Sequence, residues 1–366
     1  MIIQSGITIG SSITIGDLPT VPYLPPSLYT FSTFTFQTGN IVGPTGPTAA
    51  QLFANSYSNV GNTWLQSTSY FNVVNGYQYW TVPETATYQI TAAGSRSGIG
   101  NYTANVTSPN MYGRGATISG TFALTQGQVL AIAVGQPSAN VTQSNYIGVG
   151  GGGGTFVVLG NTFPLVVAGA GGGNGAYSGV ANFAGNAQTR SNGSASFGGA
   201  PGGANGLGGN SHINASQTVS INSYDGGAGA GFLGNGAAGA NNATRPGVAA
   251  ALNGQGGLGF ASGLTGGAAA ANYLANGTHG GFGGGGGGTP IAGGGGGGYS
   301  GGGGGYNPAG TVTDSGGGGG SWVAANATAI ATHTGTFDGS STFGGLTVTT
   351  VGTLNAGPGY VTITRV

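Results

Sequence analysis

The amino-acid sequence predicts an all-β protein, a jelly-roll-like β-sandwich with an inserted bundle of left-handed polyglycine II helices. Three observations indicate this fold class. Several short runs within residues 29–147 alternate apolar and polar side chains, as strands do. Glycine dominates residues 148–322, and strand-like alternation returns in residues 323–366. We therefore divide the chain into an N-terminal attachment arm (1–28), a β-sandwich in two parts (29–147 and 323–366), and the polyglycine-helix bundle (148–322).

Composition indicates that the glycine is structural. Glycine and proline together make up about 28% of the 366 residues, a level that is usual for low-complexity chains. Disordered chains, however, are typically charged and poor in aromatic residues. This chain is 3% charged and 9% aromatic, so it has the side chains that a packed protein needs.

Charge and cysteine content limit the classes of ligand that we expect the protein to bind. The five basic residues are all arginine and are balanced by five acidic residues, and the chain has no cysteine. A nucleic-acid ligand is not expected, because binding its phosphates requires a basic surface. No apolar run approaches the ~20 residues that span a bilayer, so membrane insertion is not expected. We also expect no cofactor and no metal.

The attachment arm contains a small repeat, "GITIG" (6–10) followed by "SITIG" (12–16). Alternating Ile and Thr predicts strands. Two interpretations stay open: a single hairpin, or an arm that adds strands to a neighbouring protein. The following "VPYLPPS" (21–27) predicts a stiff extended connector, because proline fixes φ and restricts the residue before it.

The first part of the sandwich is predicted from a series of short strands. They are "YTFSTFTF" (29–36), "YQYWTV" (77–82), "ATYQITAAG" (86–94), and two within 116–136 that are joined around residues 125–127. Many short strands with turn signals and no helical periodicity favour a sandwich or jelly roll. The terminal "GPGYVTITRV" (357–366) predicts a closing strand, which makes the glycine-rich region an insertion.

The glycine runs predict a packed bundle. A polyglycine helix has three residues per turn and rises ~3.1 Å per residue, without internal hydrogen bonds. Its peptide groups point outward and, once buried, must bond to neighbouring helices. Glycine permits such close approach on every side, and apolar anchors such as Phe156 and Phe282 separate the runs. The structural glycines that bound the runs are Gly150, Gly154, Gly171, Gly173, Gly283, Gly288, Gly293, Gly298, Gly301, Gly305, Gly316 and Gly320.

Motifs that suggest catalysis lack their context, so we predict that the protein is not an enzyme. Residues 171–176 imitate a dinucleotide fingerprint, but no helix pattern follows and no acidic residue occurs between Glu84 and Asp225. Ser300 sits in a G-x-S-x-G pattern between two glycine runs, not at a strand-to-helix turn. The three histidines are dispersed without metal-ligand spacing. A carboxylate pair for glycan hydrolysis remains as the enzymatic alternative.

Two blocks of sequence resemble a known module. Residues 150–173, with 280–288 and 293–302, look like the glycine-rich module of the anaplastic lymphoma kinase and leukocyte tyrosine kinase ectodomains. Residues 75–95, 120–136 and 357–363 resemble the tumour-necrosis-factor-like sandwich joined to that module. The resemblance covers about residues 64–366 and implies a jelly roll with inserted polyglycine helices.

The resemblance also implies a setting. The same module occurs in structural proteins of marine tailed phages, and polyglycine-helix bundles form the tips of some tail-fibre adhesins. This chain lacks the cysteines of the receptors, which speaks against receptor signalling. The resemblance therefore implies a virion surface protein. Two alternatives stay open: a capsid-decorating protein, and a cellular surface filament or matrix protein.

Host binding would fall to loops at the ends of the bundle, which we place at 174–198, 205–225, 237–279 and 306–315. The expected partner is a host surface glycan or an outer-membrane protein, with other virion proteins bound through residues 1–28. Self-association into a homo-oligomer stays open. The candidate receptor-binding residues are Tyr177, Phe183, Arg190, His212, Tyr224, Arg245, Tyr273 and Tyr306.

Overall fold

The computed structural model describes residues 25–58, 61–100, 112–141, 146–177, 180–181, 185–211, 225–239, 253–270, 278–306, 314–325, 333–334, 342–343, 346–347 and 354–366. Within these ranges the regular secondary structure is mostly β, with two large antiparallel sheets and very little helix. The predicted all-β class is confirmed.

The regular elements alternate with long stretches of irregular backbone. The one α-helix of the described ranges is α1 (Ala49–Asn55), and 3-10 turns cover Thr63–Gln66 and Phe260–Ser262. The strands in chain order are β1 (Thr33–Phe36), β2 (Phe71–Val74), β3 (Tyr77–Thr81), β4 (Ala86–Ala93), β5 (Thr117–Leu124), β6 (Val129–Ala133), β7 (Tyr146–Gly148), β8 (Thr155–Leu159), β9 (Phe163–Ala168), β10 (Gly175–Tyr177), β11 (Val180–Ala181), β12 (Trp322–Val323), β13 (His333–Thr334), β14 (Thr342–Phe343), β15 (Leu346–Thr347) and β16 (Tyr360–Arg365).

Two antiparallel sheets face each other. One has the order β1-β16-β4-β5-β13, and the other has the order β12-β9-β8-β6-β3-β2. The last strand of the chain, β16, lies between β1 and β4, so the first sheet joins both ends of the sequence. Small sheets of three strands (β11-β10-β7) and two strands (β14-β15) complete the described set.

The core between the two sheets comes from the period-two alternation of the strands. In β1, Phe34 and Phe36 are buried. The threonine hydroxyls of the same strand face outward, and that of Thr33 lies 2.9 Å from that of Thr364 on β16. The largest fully buried side chains of this core include Trp80, Tyr88, Phe122, Ile90 and Leu130.

Most strands that the sequence predicts are present. The alternating segments at 77–82, 86–94 and 116–136 form β3, β4 and the pair β5 and β6, and the terminal segment 357–366 contains β16. Residues 155–170, within the stretch assigned to the glycine-rich bundle, instead form the hairpin β8–β9 of the six-stranded sheet. The α-helix was not predicted. Thr48 caps it by accepting the Gln51 amide, and the Gln51 side chain accepts the Thr48 amide in return. Because the helix is only two turns long, it produces no 3.6-residue periodicity.

The second face of the six-stranded sheet is also buried. Tyr77, Phe156 and Val158 on that face form a second apolar cluster with Phe232, Phe260 and Phe282 from the glycine-rich region. The Tyr77 hydroxyl donates a 2.5 Å hydrogen bond to the Phe260 carbonyl. The glycine-rich region is therefore fixed on the sandwich by aromatic side chains.

The sandwich has two ends. One end meets the glycine-rich region, because β8 continues directly from residues 150–154 and β9 continues into residues 169–174. We call the opposite end, formed by residues 81–86, 124–129 and 159–163, the base. The described chain starts there: the Leu28 amide donates to the Pro83 carbonyl at 2.9 Å.

Candidate functional site at the far end of the glycine-rich region

The glycine-rich region consists of short segments packed side by side, and residues 293–298 lie among them. The Gly293 and Gly296 amides, three residues apart, donate to the carbonyls of Asp314 and Gly317 at 2.9 Å each. The other four amides show the same spacing of three. Those of residues 294 and 297 donate to residues 149 and 152, and those of residues 295 and 298 donate to residues 227 and 230. One segment of six residues thus donates to three neighbours in turn.

The carbonyls of residues 293–298 face other neighbours. Five of them accept amides from residues 170–173, 302–305 and Gly286. The amides of residues 226–231 behave in the same way and donate to 302–305, 284–287 and 234–237. Carbonyls within 225–230 accept from three other segments. Each of these two segments therefore exchanges main-chain hydrogen bonds with six surrounding segments, which pairs most of its buried peptide groups.

The close approach of these segments leaves no room for a Cβ at the glycines that face a neighbouring segment. A Cβ on Gly296 would lie 2.2 Å from the Ala170 carbonyl oxygen, and one on Gly151 would lie 2.1 Å from that of Gly295. At every glycine that bounds the predicted runs, a Cβ would fall within 3.0 Å of a backbone atom. None of residues 293–298 has a positive φ, whereas Gly283 and Gly284 do, at a reversal of the chain.

Connections at the end nearest the sandwich are short. The Gly231 amide donates to the Gly234 carbonyl at 2.8 Å across a tight turn, and only Tyr299 and Ser300 separate two glycine runs. Phe232 and Tyr299 from these turns stack with an interplanar angle of 11°. At this end, therefore, the chain reverses in short turns whose aromatic side chains pack against the six-stranded sheet.

We call the opposite end the far face. Residues that meet there include Asp225, whose amide donates to Asn253 Oδ1 at 3.2 Å, and Gly239, whose amide donates to the Gly254 carbonyl. The stretches 212–224, 240–252, 271–277 and 307–313 lie outside the described residues, and each is flanked on both sides by residues of the far face. The longer connections therefore leave from one end of the region.

The structure places three of the eight candidate receptor-binding residues. Tyr177 in β10 is the register partner of Tyr146 in β7, beside the far face. Tyr306 is also at the far face but is only 9% exposed. Arg190 lies at the sandwich end, where its carbonyl accepts the Ser321 amide at 2.8 Å. Phe183, His212, Tyr224, Arg245 and Tyr273 lie outside the described residues.

Sequence reasoning missed Phe197, a prominent side chain of the far face. It is 69% exposed and sits in a turn that includes Gly199, whose φ is +89°. The turn is held by its backbone: the Phe197 amide donates to Ser315, and the Gly199 amide donates to Ser196. The "SFGG" sequence carries the signal, because glycine after an apolar residue predicts a turn that displays it.

A buried carboxyl group lies beside this turn. Asp314 is 2% exposed, and its side chain packs against Gly198. Burial raises the pKa of the Asp314 carboxyl to about 6, and a hydrogen bond from the Tyr306 amide opposes that rise. His279, also at the far face, is exposed and accepts the Ala269 amide on Nδ1 at 3.1 Å, so its neutral form carries the proton on Nε2.

These groups do not form a reactive constellation. Among the described residues, no cluster of three or more His, Asp or Glu side chains could hold a metal ion. A cavity of about 530 Å³ between α1 and the sandwich end of the region is lined by Thr45, Thr48, Asn75 and Thr265, with apolar neighbours and no acidic or basic side chain. The described helices also include none that is long and apolar enough to cross a membrane.

Comparison with known proteins adds no family assignment. The sequence matches no protein-family model, and no curated protein is significantly similar to it. Among the described residues, the far face combines an exposed phenylalanine, Phe197, with the chain ends that flank the four stretches named above.

Proposed function

We propose that this chain is a non-enzymatic structural protein of a virion surface, a tail-fibre or adhesin component that binds the host cell through the far face. The observation that carries the proposal is that the start of the described chain and the far face lie at opposite ends of the molecule. The N-terminal arm joins at the base, where Pro26 accepts a hydrogen bond from Gln126 at 2.8 Å. The described residues that flank 212–224, 240–252, 271–277 and 307–313 lie at the opposite end, at the far face.

We further infer that the sandwich is a jelly roll and that the glycine-rich segments are polyglycine II helices. Hydrogen bonds that return to the same neighbour every third residue fit a helix of three residues per turn. The absence of positive φ in residues 293–298 fits its left-handed form. Six residues rising ~3.1 Å each give rods of about 19 Å, which hold the far face at a fixed distance from the base.

Rigid rods would favour ligand binding by the loops at their ends. Binding residues on loops lose less entropy on binding when a stiff scaffold fixes the loop ends. At the far face those ends are tied by backbone bonds, such as Gly226 to Gly305 at 2.9 Å. Exposed Phe197 supplies the kind of aromatic anchor that dominates many protein interfaces. A glycan or an outer-membrane protein of the host is the expected ligand.

The test compares two exposed phenylalanines at opposite ends of the molecule. Phe197 lies at the far face, and Phe163, which is 46% exposed, lies at the base in the β8–β9 hairpin. Purified labelled chain is incubated with a panel of marine bacterial cells, and bound protein is quantified. We expect Phe197→Ala to reduce binding at least tenfold and Phe163→Ala to leave it unchanged. Failure of the chain to bind any cell, or equal losses in both variants, would refute the proposal.

A further inference from the structure

The first strand of the five-stranded sheet, β1, has an edge that no described residue pairs with. In the described part of the chain, β1 pairs only with β16. The Arg365 amide donates to the Ser32 carbonyl at 2.8 Å, which places pair 32/365 among the hydrogen-bonded pairs of this antiparallel ladder. Residues 34 and 36 then face β16, and the amides and carbonyls of Thr33 and Thr35 face away from the sheet.

The other edges of the two large sheets, within the described ranges, are either covered or too short to pair with an added strand. α1 and the 3-10 turn Thr63–Gln66 pack beside β2 at one edge of the six-stranded sheet. The strands β12 and β13 at the remaining edges are two residues long. Proteins usually protect an exposed edge with lysine, proline or a bulge. The sequence of β1, "TFTF", contains none of these and pairs in regular register.

The attachment arm carries strands that match this edge. On its paired side, β1 contacts "VTIT" (361–364), in which Val361 and Ile363 are buried and the threonines face outward. The arm contains "SITI" (12–15) and "GITI" (6–9), which have the same alternation of β-branched apolar and small hydroxyl or glycine positions. A strand of either sequence would place its isoleucines over the core beside Phe34 and its threonine in the outer hydroxyl row.

The attachment arm also joins the described part of the chain close to the start of β1. Residues 25–27 lie at the base, where Ser27 Oγ donates to Tyr29 O at 2.6 Å, and β1 begins at Thr33 on the same side. Between the repeats and the base, Pro19, Pro22, Pro25 and Pro26 favour an extended connector. From this sequence we expect the connector to direct the repeats away from their own sheet and toward a neighbouring molecule.

We infer that β1 is an acceptor edge for the arm of a second copy of this chain, and that residues 12–15 of that copy add a strand beside Thr33–Phe36. Main-chain hydrogen bonds supply the affinity in such strand addition, and the alternating side chains supply the register. The interface joins the arm of one copy to the β1 edge of the other, and it leaves the far face free. It is therefore separate from the proposed host-binding site.

Disulfide trapping tests which copy supplies the strand, because the chain contains no cysteine of its own. Chains bearing Thr14→Cys are mixed with chains bearing Thr35→Cys under mild oxidation, and products are resolved on non-reducing gels. We expect a covalent heterodimer, and none when Thr35→Cys is replaced by Thr125→Cys, an exposed threonine in the β5–β6 turn. Absence of the heterodimer, or an intrachain disulfide in a dilute Thr14→Cys/Thr35→Cys chain, would overturn the inference.

Light scattering provides a second measurement on the intact chain. Thr35→Pro removes an amide that faces away from β16, so the existing ladder keeps its bonds. We expect the wild-type chain to self-associate and Thr35→Pro to weaken that association at least tenfold, with Thr35→Val as the folded control. Cell binding that depends on Phe197 should persist in the Thr35→Pro monomer, which separates this inference from the proposed function. A wild-type chain that stays monomeric at high concentration would refute it.

Discussion

The sandwich and the glycine-rich region are held together by different parts of the chain. In the sandwich, large side chains such as Trp80 and Tyr88 fill the space between two sheets. In the glycine-rich region, backbone amides bond to several neighbouring segments, and a Cβ at most of the glycines in these segments would collide with a neighbouring backbone. The contrast shows that one chain can build a rigid body either by filling space or by leaving side chains out.

The two regions meet at the six-stranded sheet, which serves both. One face of the sheet lies in the sandwich core, with Trp80, Leu130 and Ile132. The other face carries Tyr77 and Phe156, which pack on aromatic side chains from the turns of the glycine-rich region. Apolar burial therefore anchors the ends of segments whose middles are stabilised by hydrogen bonds, and this reduces the conformational entropy that the segments must lose.

The largest expected effect is in the sandwich. Phe122 is 1% exposed in the core, so Phe122→Ala should leave a cavity and lower the free energy of unfolding by about 3–5 kcal/mol. Phe163→Ala removes a phenylalanine that is 46% exposed and should cost less than about 1 kcal/mol. Urea unfolding of both variants measures the difference. Equal losses would mean that the sandwich does not depend on its side-chain core.

A single added methyl group should be nearly as damaging in the glycine-rich region. Gly296→Ala places Cβ 2.2 Å from a carbonyl oxygen, and the segments must separate to accept it. We expect a loss of about 2–4 kcal/mol from overpacking and weakened hydrogen bonds. Gly61→Ala is the matched control, because a Cβ at Gly61 meets nothing within 4 Å and φ there is not positive.

Thermal and urea unfolding of these two glycine variants test the contrast between the regions directly. The control should be neutral or stabilised by a few tenths of a kcal/mol up to about 1, since alanine restricts the unfolded chain. If Gly296→Ala behaves like Gly61→Ala, the segments are not packed as tightly as their hydrogen bonds indicate, and the proposed polyglycine helices fail with them.

The sequence was sufficient to predict the sandwich strands because the period-two alternation is local. "YQYWTV" and "ATYQITAAG" became β3 and β4 with ends within a residue or two of those expected. The partners of each strand are not local. Placement of the last strand, β16, between β1 and β4 depends on residues more than 250 positions apart, and no single-sequence pattern encodes it.

Close packing of the glycine-rich segments was predictable from the sequence, but the extent of the packed region was not. Uninterrupted runs marked its centre, whereas residues within the expected loops 205–225 and 237–279 turned out to form further segments. On either side of a turn at Asn205 and Gly206, exposed positions are spaced three residues apart, at Pro201 and Ala204 before the turn and at Leu207 and Asn210 after it. Gly203, Gly206 and Gly209 are buried between them. An outer segment needs glycine only where it faces inward, so it does not look like a run.

The smallest expected effect concerns pH at the far face, where a charge is buried in a nearly uncharged protein. The pKa of Asp314 is raised by burial from its ordinary value of 3.8 to about 6. At pH 7 the carboxyl is ionised in both the folded and the unfolded chain, and the folded state bears the desolvation penalty. As the pH falls through 6 the folded state takes up a proton before the unfolded state does, so this group's contribution to stability rises.

We expect the free energy of unfolding to increase by about 1–2 kcal/mol between pH 7.5 and pH 4.5 on account of Asp314, after allowance for solvent screening. Asp314→Asn should remove this pH dependence and stabilise the protein at pH 7.5. Glu84→Gln is the control, because Glu84 pairs with Arg365 at 2.5 Å on the base and should leave the Asp314 effect intact. Urea titrations at four pH values measure all three chains. A wild-type stability that falls steadily on acidification, unchanged by Asp314→Asn, would show that the far face is open to water at this residue. The sandwich and the glycine-rich region would then differ in the access of water to their buried groups, as well as in the groups that stabilise them.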